Sequence, residues 1–344
     1  MRKLASIQRI SEKRPITRVT KNTQEEAENI ALFKCGGMSW QFIAEKSLDV
    51  GDLVVFFEID SVLPERDWSM FLAKTNFRVK TLKMWGVMSQ GLALPVKKVL
   101  GNMYVHEGQD VTELLQVTQY EVPDTPGSRS TGTFPSYLVP KTDQLRLQSV
   151  FDKAMEELFA NTDGIIVVTQ KMDGSSWTAG LNGDSFIVCS RNFQLQKDDS
   201  SYWRIATKYN VEENLRKNNL QGYFLQGEMC GPGIQKNKIG LKELTLYVYA
   251  VYDSNTQRYL NHHELEKVCT LLELETVPVL HVLYVPSDVD IDFFLRLADG
   301  KYPNGATQEG IVFYPPNVTQ SNLTHNGIMS YKVISPAFNL EHGE

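Results

Sequence analysis

Ile165-Ile166-Val167-Val168-Thr169-Gln170-Lys171-Met172-Asp173-Gly174-Ser175-Ser176 is the stretch on which the reading of this chain turns. Its apolar, β-branched opening predicts a buried strand. The strand runs into a lysine, and a charged lysine there is costly unless it is paired. Burial and a nearby metal cation both lower the pKa of such an amine and expose its neutral, nucleophilic form. Asp173 lies two residues on, so along an extended chain it faces the same way as Lys171. Gly174 permits a tight turn or the close approach of a phosphate. Taken alone, K-x-D-G is short, and a strand ending in a polar turn is the simpler reading.

Further pieces follow in order. Ser190-Arg191-Asn192 ends the next strand and places a guanidinium where it can hold a phosphate or a ribose. Leu225-Gln226-Gly227-Glu228 sets a carboxylate at the end of an apolar strand. Tyr247-Val248-Tyr249-Ala250-Val251-Tyr252-Asp253 is a strand with an aromatic face and an acid at its end. Glu309-Gly310-Ile311-Val312-Phe313 and Tyr331-Lys332-Val333-Ile334 complete the set. Each has a plain structural reading: Arg191 as a surface ion pair, Tyr249 as core, Glu228 and Glu309 as strand-edge charges. Their occurrence together and in this order is hard to reconcile with coincidence.

Upstream, residues 1 to about 115 read as β-rich. Val50-Gly51-Asp52-Leu53-Val54-Val55-Phe56-Phe57 predicts a turn and a buried strand. Arg78 to Met84 alternates as a half-buried strand does, and Met88 to Pro95 gives another. A small barrel of OB type suits this size, though periodicity alone does not separate it from other small β-folds. Pro123, Pro126, Gly127, Gly132 and Pro135 mark residues 121–137 as a linker between domains at 1–120 and 138–344. Beyond it, helices are expected at Ser149 to Ala160, Tyr202 to Asn218 and His262 to Leu274. Strands are expected at Gly164 to Gln170, Ser185 to Cys189, Tyr223 to Gly227, Thr245 to Tyr252 and Gly310 to Tyr314. The class is α+β, built on antiparallel sheets.

The 344 residues suit about two domains. The net charge of −6 speaks against coating nucleic acid wholesale, since backbone binding is largely Lys/Arg electrostatics, but leaves room for a basic groove. Cys35, Cys189, Cys230 and Cys269 have no C-x-x-C spacing, which argues against a zinc ribbon and for reduced thiols inside a cell. No apolar run approaches the roughly twenty residues that span a bilayer. An intracellular protein without a membrane partner is expected, in cytoplasm or nucleus, with an organelle left open.

The ordered motifs resemble those of the covalent nucleotidyltransferase superfamily of ATP-dependent ligases and mRNA capping enzymes. Their position after a β-rich domain is similar to that in the RNA ligases with an N-terminal OB-fold module. Leu138-Val139-Pro140-Lys141-Thr142-Asp143-Gln144-Leu145-Arg146-Leu147-Gln148 resembles the segment these ligases carry before the lysine, and Gly51 to Pro64 resembles their OB module. The resemblance implies an OB-like β-barrel followed by an antiparallel-sheet nucleotidyltransferase (ATP-grasp-like ligase) domain. It implies that Lys171 takes AMP from ATP, and that Asp173 and Glu309 hold Mg2+ or Mn2+, with Asp253 joining them. By the same resemblance, Arg191 and Glu228 engage the ribose or its phosphate. Tyr249 stacks on adenine, the backbone beside Gln170 reads its edge, and Lys332 contacts the α-phosphate. Arg146 touches the triphosphate or a nucleic-acid 5′ end. The implied partner is RNA with 5′-phosphate and 3′-OH ends, at a duplex nick, sealed by a monomer in RNA repair.

One departure stands out: several RNA ligases carry K-x-K in the last motif, whereas Ser330-Tyr331-Lys332 keeps only the second lysine. DNA ligation and capping are alternatives, disfavoured by the β-rich module coming first and by the short tail after Lys332. A non-catalytic OB-fold nucleic-acid binder is the alternative of another class. His262-His263 reads as a helix start after Asn261 rather than a metal site. Gly227 to Gly233 lacks the G-K-[ST] of a P-loop, and Lys236 and Lys238 read either as phosphate contacts or as a solvated loop.

Overall fold

Leu53–Phe57 is apolar at every position because it is buried on both faces. Val54 and Phe56 pack with Phe33, Trp40 and Phe42. Val55 and Phe57 pack with Ile7, Leu63 and Val79 on the other side. In the computed structural model, which describes residues 3–20, 23–120 and 130–342, this strand is the fourth of a five-stranded antiparallel sheet. Its members are β1 (Ala5–Thr20), β2 (Thr23–Cys35), β3 (Gln41–Glu45), β4 (Leu53–Phe57) and β5 (Leu92–Pro95), in the order β3-β2-β1-β4-β5. The first residues of β1 pair with β4, from Ala5↔Phe57 to Arg9↔Leu53. The rest pairs with β2 across register shifts at Ile10/Glu12 and Pro15/Thr17. Such bulges bend a strand and let one long strand serve two halves of a curling sheet.

Two expectations for this region change. The alternation at Arg78 to Met84 yields a strand only at Leu82–Met84, in a hairpin with Val87–Ser89. Arg78 goes instead to an ion pair with Asp60 at 2.7 Å and lies over the ring of Tyr120. The strand expected from Met88 to Pro95 breaks at Gly91, whose φ is +113°. A Cβ there would meet the Phe56 ring at 2.5 Å.

Two compact units make up the chain: residues 3–120, 146–155 and 336–342 in the first, and 130–145 and 156–335 in the second. The linker expected at 121–137 lies outside the described residues over 121–129. The expected helix begins with a 3₁₀ turn at Leu147–Ser149 and runs as α1 (Phe151–Asn161).

The second unit holds two sheets, antiparallel except for a short parallel pairing of Tyr247 and Val248 with Glu275 and Thr276. The apolar strand that ends in Lys171, β6 (Ile165–Lys171), belongs to one of the two sheets. β7 (Ser175–Asn182), β8 (Ser185–Cys189), β9 (Tyr223–Cys230) and β10 (Thr245–Asp253) belong to the other, in the order β8-β7-β9-β10. β11 (Val279–Tyr284), β12 (Gly310–Tyr314) and β13 (Tyr331–Ile334) return to the first, in the order β13-β12-β6-β11. The chain therefore crosses from one sheet to the other within Met172-Asp173-Gly174.

One face of the larger sheet is closed by α2 (Ser201–Lys208), α3 (Val211–Lys217) and α4 (His262–Leu271). Trp177, Leu225, Met229, Val248 and Val251 pack there with Ile205, Leu215 and Leu265. Each fully buried side chain of this size contributes roughly 1.5–3 kcal/mol. Because side chains alternate along a strand, Glu228 and Tyr247 point away from that core. The single helix expected from Tyr202 to Asn218 is two, parted at Asn210 with φ +47°. α4 starts where the two histidines predict it, under a capping box of Asn261 and Glu264.

Candidate active site

Lys171 sits at the last position of β6, paired across to Gly310. Glu309 precedes Gly310, so its side chain reaches the amine: Nζ to Oε2 is 2.7 Å. Gly310 has φ +150°, and a Cβ there would meet the Val333 carbonyl at 2.1 Å. Only glycine lets β12 enter between β6 and β13 at this point. Tyr302, buried and not singled out by any sequence pattern, fastens the pair from behind. Its hydroxyl donates to the Lys171 carbonyl at 2.7 Å and accepts from the Glu309 amide at 3.1 Å.

Asp173 follows on the crossing segment, and Lys238 lies 3.2 Å from its carboxylate. Gly174 is explained by backbone approach, though the neighbour is a strand. A Cβ would meet the Met229 carbonyl at 2.5 Å and Glu228 Cγ at 2.8 Å. This packing sets the turn against the end of β9, where Glu228 stands opposite Ser176 and Tyr247. Tyr249, two residues beyond Tyr247, bonds Thr142 through its hydroxyl at 2.9 Å. Arg191 pairs with Asp143 at 2.8 Å, in the same segment as Thr142. Lys332 pairs with Val312, which pairs with Thr169. Lys332 thus shares the face of Lys171, two strands away, roughly 10 Å across at ordinary strand spacing.

Three expected residues are placed elsewhere. Asp253 ends β10 opposite Tyr223, at the far end of β9 from Glu228. Its carboxylate accepts from the Asn255 amide at 3.0 Å and from the Thr256 hydroxyl at 2.7 Å. It caps a turn and is not with Asp173 and Glu309. Gln170 points to the opposite face of β6 from Lys171, where its amide donates to Gln308 at 2.9 Å. Its backbone N–H is taken by Pro278 at 2.9 Å. Arg146 belongs to the first unit, where Asp60 holds it at 2.6 Å.

The electrostatics of the cluster differ from the sequence expectation. Burial does act to lower the Lys171 pKa, but Glu309, Glu228 and Asp173 outweigh it and the net direction is upward. Without ligand, the amine is held as an ammonium. Burial pushes the Glu228 carboxyl up to about 8; Lys171 pulls it back, and Glu309 and Asp173 push further. Asp173 is raised by burial and by Glu309, with Lys238 pulling the other way. Burial carries the Tyr249 hydroxyl to about 12.

Among the described residues, no group of three or more His, Cys, Asp and Glu side chains is arranged to hold a metal ion. The donors present still suit a hard divalent cation, which is commonly bound by one or two carboxylates with water and phosphate oxygens. Glu309 adds to the cost of ionising Asp173, and an added positive charge relieves that cost.

An antiparallel two-sheet unit with a lysine at the crossing, in a chain that opens with a curling β-sheet, is the organisation of a nucleotidyltransferase. A family model described as RNA ligase matches residues 164–334. A second, described as an OB-fold domain, matches residues 4–96. Among solved structures, the chain is similar to a Naegleria gruberi RNA ligase with PPi, at 30% identity and TM-score 0.85, covering 100% of this chain and 99% of that one. It is equally similar to a lysine-to-alanine variant of that ligase with ATP and Mn, at 30% identity and TM-score 0.85, over 99% of each chain. A glutamate-to-alanine variant with AMP and Mn matches at 30% identity and TM-score 0.84, again over 99% of each. No curated protein matches the chain. The chain belongs to the RNA ligase family, and its N-terminal unit is the expected OB-fold module. All four cysteines are buried and free. Among the described residues, no helix is long and apolar enough to cross a membrane.

Proposed function

We propose that this chain is an ATP-dependent RNA ligase that carries AMP on Lys171 and seals a 5′-phosphate to a 3′-hydroxyl, with nicks in RNA-containing duplexes as substrate. The observation that carries the reading is the Lys171 amine, 2.7 Å from Glu309 and surrounded by Glu228 and Asp173 at the crossing of two sheets. ATP and Mn occur together in a solved structure of the similar Naegleria ligase, which supports both ligands here.

A divalent cation, when bound, would be held by Asp173 and Glu309 with water, and would supply positive charge against the α-phosphate. The ammonium of Lys171 loses its counter-ion once Glu309 is engaged elsewhere. Burial then dominates, the proton leaves to solvent, and the neutral amine is the nucleophile. Nζ attacks the α-phosphorus; an N–P bond forms and the bond to pyrophosphate breaks. Lys332, on the same sheet face, offsets the charge that develops on the α-phosphate oxygens. Tyr249 supplies an aromatic surface for adenine, and Arg191 and Glu228 meet the ribose or the phosphate beside it. AMP then passes to the 5′-phosphate and frees Lys171. A 3′-hydroxyl displaces AMP and closes the strand. Positioning and charge neutralisation account for most of such catalysis.

The test is incubation with α-labelled ATP and magnesium. Label retained on the protein through SDS, and absent in Lys171→Ala, supports the reading; absence of label from the unaltered chain defeats it. Labelling by GTP in place of ATP indicates capping chemistry. Matched nicks differing only in RNA or DNA at the 3′-OH side test the polymer, since the 2′-OH is the distinguishing group. Equal sealing of all-DNA nicks would remove the RNA preference.

A further inference from the structure

Lys238 reaches Asp173 from a loop whose backbone is disfavoured for residues with a Cβ. Gln235, Lys236 and Asn237 are consecutive left-handed residues, with φ of +42°, +60° and +50°. Left-handed residues normally occur singly and mostly as glycine. Here the turn is locked by side chains. Asn237 accepts from the Leu241 amide at 3.1 Å and donates to the Leu241 carbonyl at 2.8 Å. Asn304 donates to the Lys238 carbonyl at 2.9 Å. The strained turn delivers Lys238, whose side chain and that of Asp173 are only 16% and 10% exposed. Backbone strain of this kind persists where surrounding contacts over-determine it and clusters at functional positions.

A surface ion pair would need no such scaffold, and a nearly dry one is costly unless well matched. The geometry points to a positioning role: Lys238 is a built-in stand-in for the divalent cation, holding Asp173 in the empty enzyme and giving it up when the cation binds. The inference rests on the reading of Asp173 as a cation ligand. It follows that Lys238 competes with the metal and keeps Asp173 from collapsing toward Lys171 in its absence. The catalytic ammonium then keeps Glu309 as its partner while Asp173 has its own.

The experiment is Mn2+ binding to the whole chain without nucleotide, followed by electron paramagnetic resonance of the free ion. Lys238→Met should bind Mn2+ about tenfold more tightly than the unaltered chain, a difference of about 1.4 kcal/mol. Lys238→Arg, which keeps a cation beside Asp173, should bind as the unaltered chain does. In chelator, the melting temperature of Lys238→Met should fall, and Mn2+ should restore it. Asn237→Gly loosens the turn without removing the amine, and should tighten Mn2+ binding by a smaller factor. A Lys238→Met chain that binds Mn2+ no more tightly, while the unaltered chain binds it and Asp173→Asn abolishes binding, overturns this inference and leaves the cation site standing. Failure of the unaltered chain to bind Mn2+, or binding indifferent to Asp173→Asn, overturns the cation site and this inference with it.

Discussion

Glu228 and Asp253 are acids near the ends of neighbouring apolar strands, and they occupy opposite ends of the same strand pair. In sequence they look alike. At one end, Glu228 meets the β6–β7 crossing, with Lys171, Glu309 and Asp173 acting on a carboxyl lifted to about 8. At the other, Asp253 meets a turn, where its two oxygens accept from Asn255 and Thr256 and Arg258 stands opposite it on the next strand, away from the crossing. An acid at a strand end becomes part of a site only when a second element brings charge to it. The second element here is the crossing segment, seated against β9 because Gly174 has no side chain.

The sharpest way to break this comparison is at its charged end. Lys171→Ala should lower lysyl-AMP formation by at least ~1,000-fold, the scale on which removing a nucleophile acts. The fold should hold, because the lysine lies at the rim of its sheet. Retention of label from α-labelled ATP in this variant would show that the crossing is not where the covalent chemistry occurs.

Glu228→Gln comes next and separates the two acids by pH. The folded-state pKa of Glu228, about 8, lies above its ordinary value of 4.5, so between these values the folded chain binds more protons than the unfolded one. Stability should therefore fall as pH rises from about 4.5 to about 8, and level off above. At about 1.4 kcal/mol per pKa unit, the rise from 4.5 to about 8 lets this one group contribute at most about 5 kcal/mol of that loss. In Glu228→Gln the slope should flatten, read by urea denaturation at several pH values, and adenylylation should drop about a hundredfold. An unchanged slope would mean that Glu228 is as well satisfied as Asp253.

Asp253→Ala tests the other end. Losing two accepted hydrogen bonds should cost about 1–2 kcal/mol, seen as a melting temperature lower by a few degrees. The rate of lysyl-AMP formation should match that of the unaltered chain. A slowed rate at equal folded fraction would return Asp253 to the metal site expected from the sequence.

How much of this was legible beforehand follows from the same contrast. Buried strands announce themselves, and the strands expected at Gly164 to Gln170, Ser185 to Cys189 and Gly310 to Tyr314 lie within a residue of the observed bounds. The order of Lys171, Glu228, Glu309 and Lys332 was readable because each follows or interrupts an apolar run. Long-range partners leave no such mark. Tyr302 joins Lys171 to Glu309 through one hydroxyl, and no periodicity points to it. Lys238 is visible only as one of two loop lysines, because the left-handed turn that aims it is a tertiary construction. The upward direction of the Lys171 pKa in the protein without metal also escaped, since burial is legible in an apolar strand and three converging carboxylates are not. Asp253 was misplaced for the complementary reason: two strands in register carry their ends to opposite poles, which spacing along one strand cannot report.

The smallest effect belongs to Arg191. It is half-exposed in its ion pair with Asp143, and exposed pairs contribute about 0–1 kcal/mol. Arg191→Ala should therefore change overall stability by less than about 1 kcal/mol. Of the charges acting on Glu228, Arg191 is the weakest, and it acts to lower that pKa. Its removal should move the pH at which stability levels off upward, by less than the loss of Lys171 does. Asp253 is indifferent to the change, so the double variant Arg191→Ala/Asp253→Ala should show additive stability losses. Arg191→Ala and Glu228→Gln should be non-additive above pH 7, because the arginine acts through a charge that the second substitution removes. Additivity in both pairs would mean that Arg191 does not sense Glu228, leaving it as the plain surface ion pair that the sequence equally allowed.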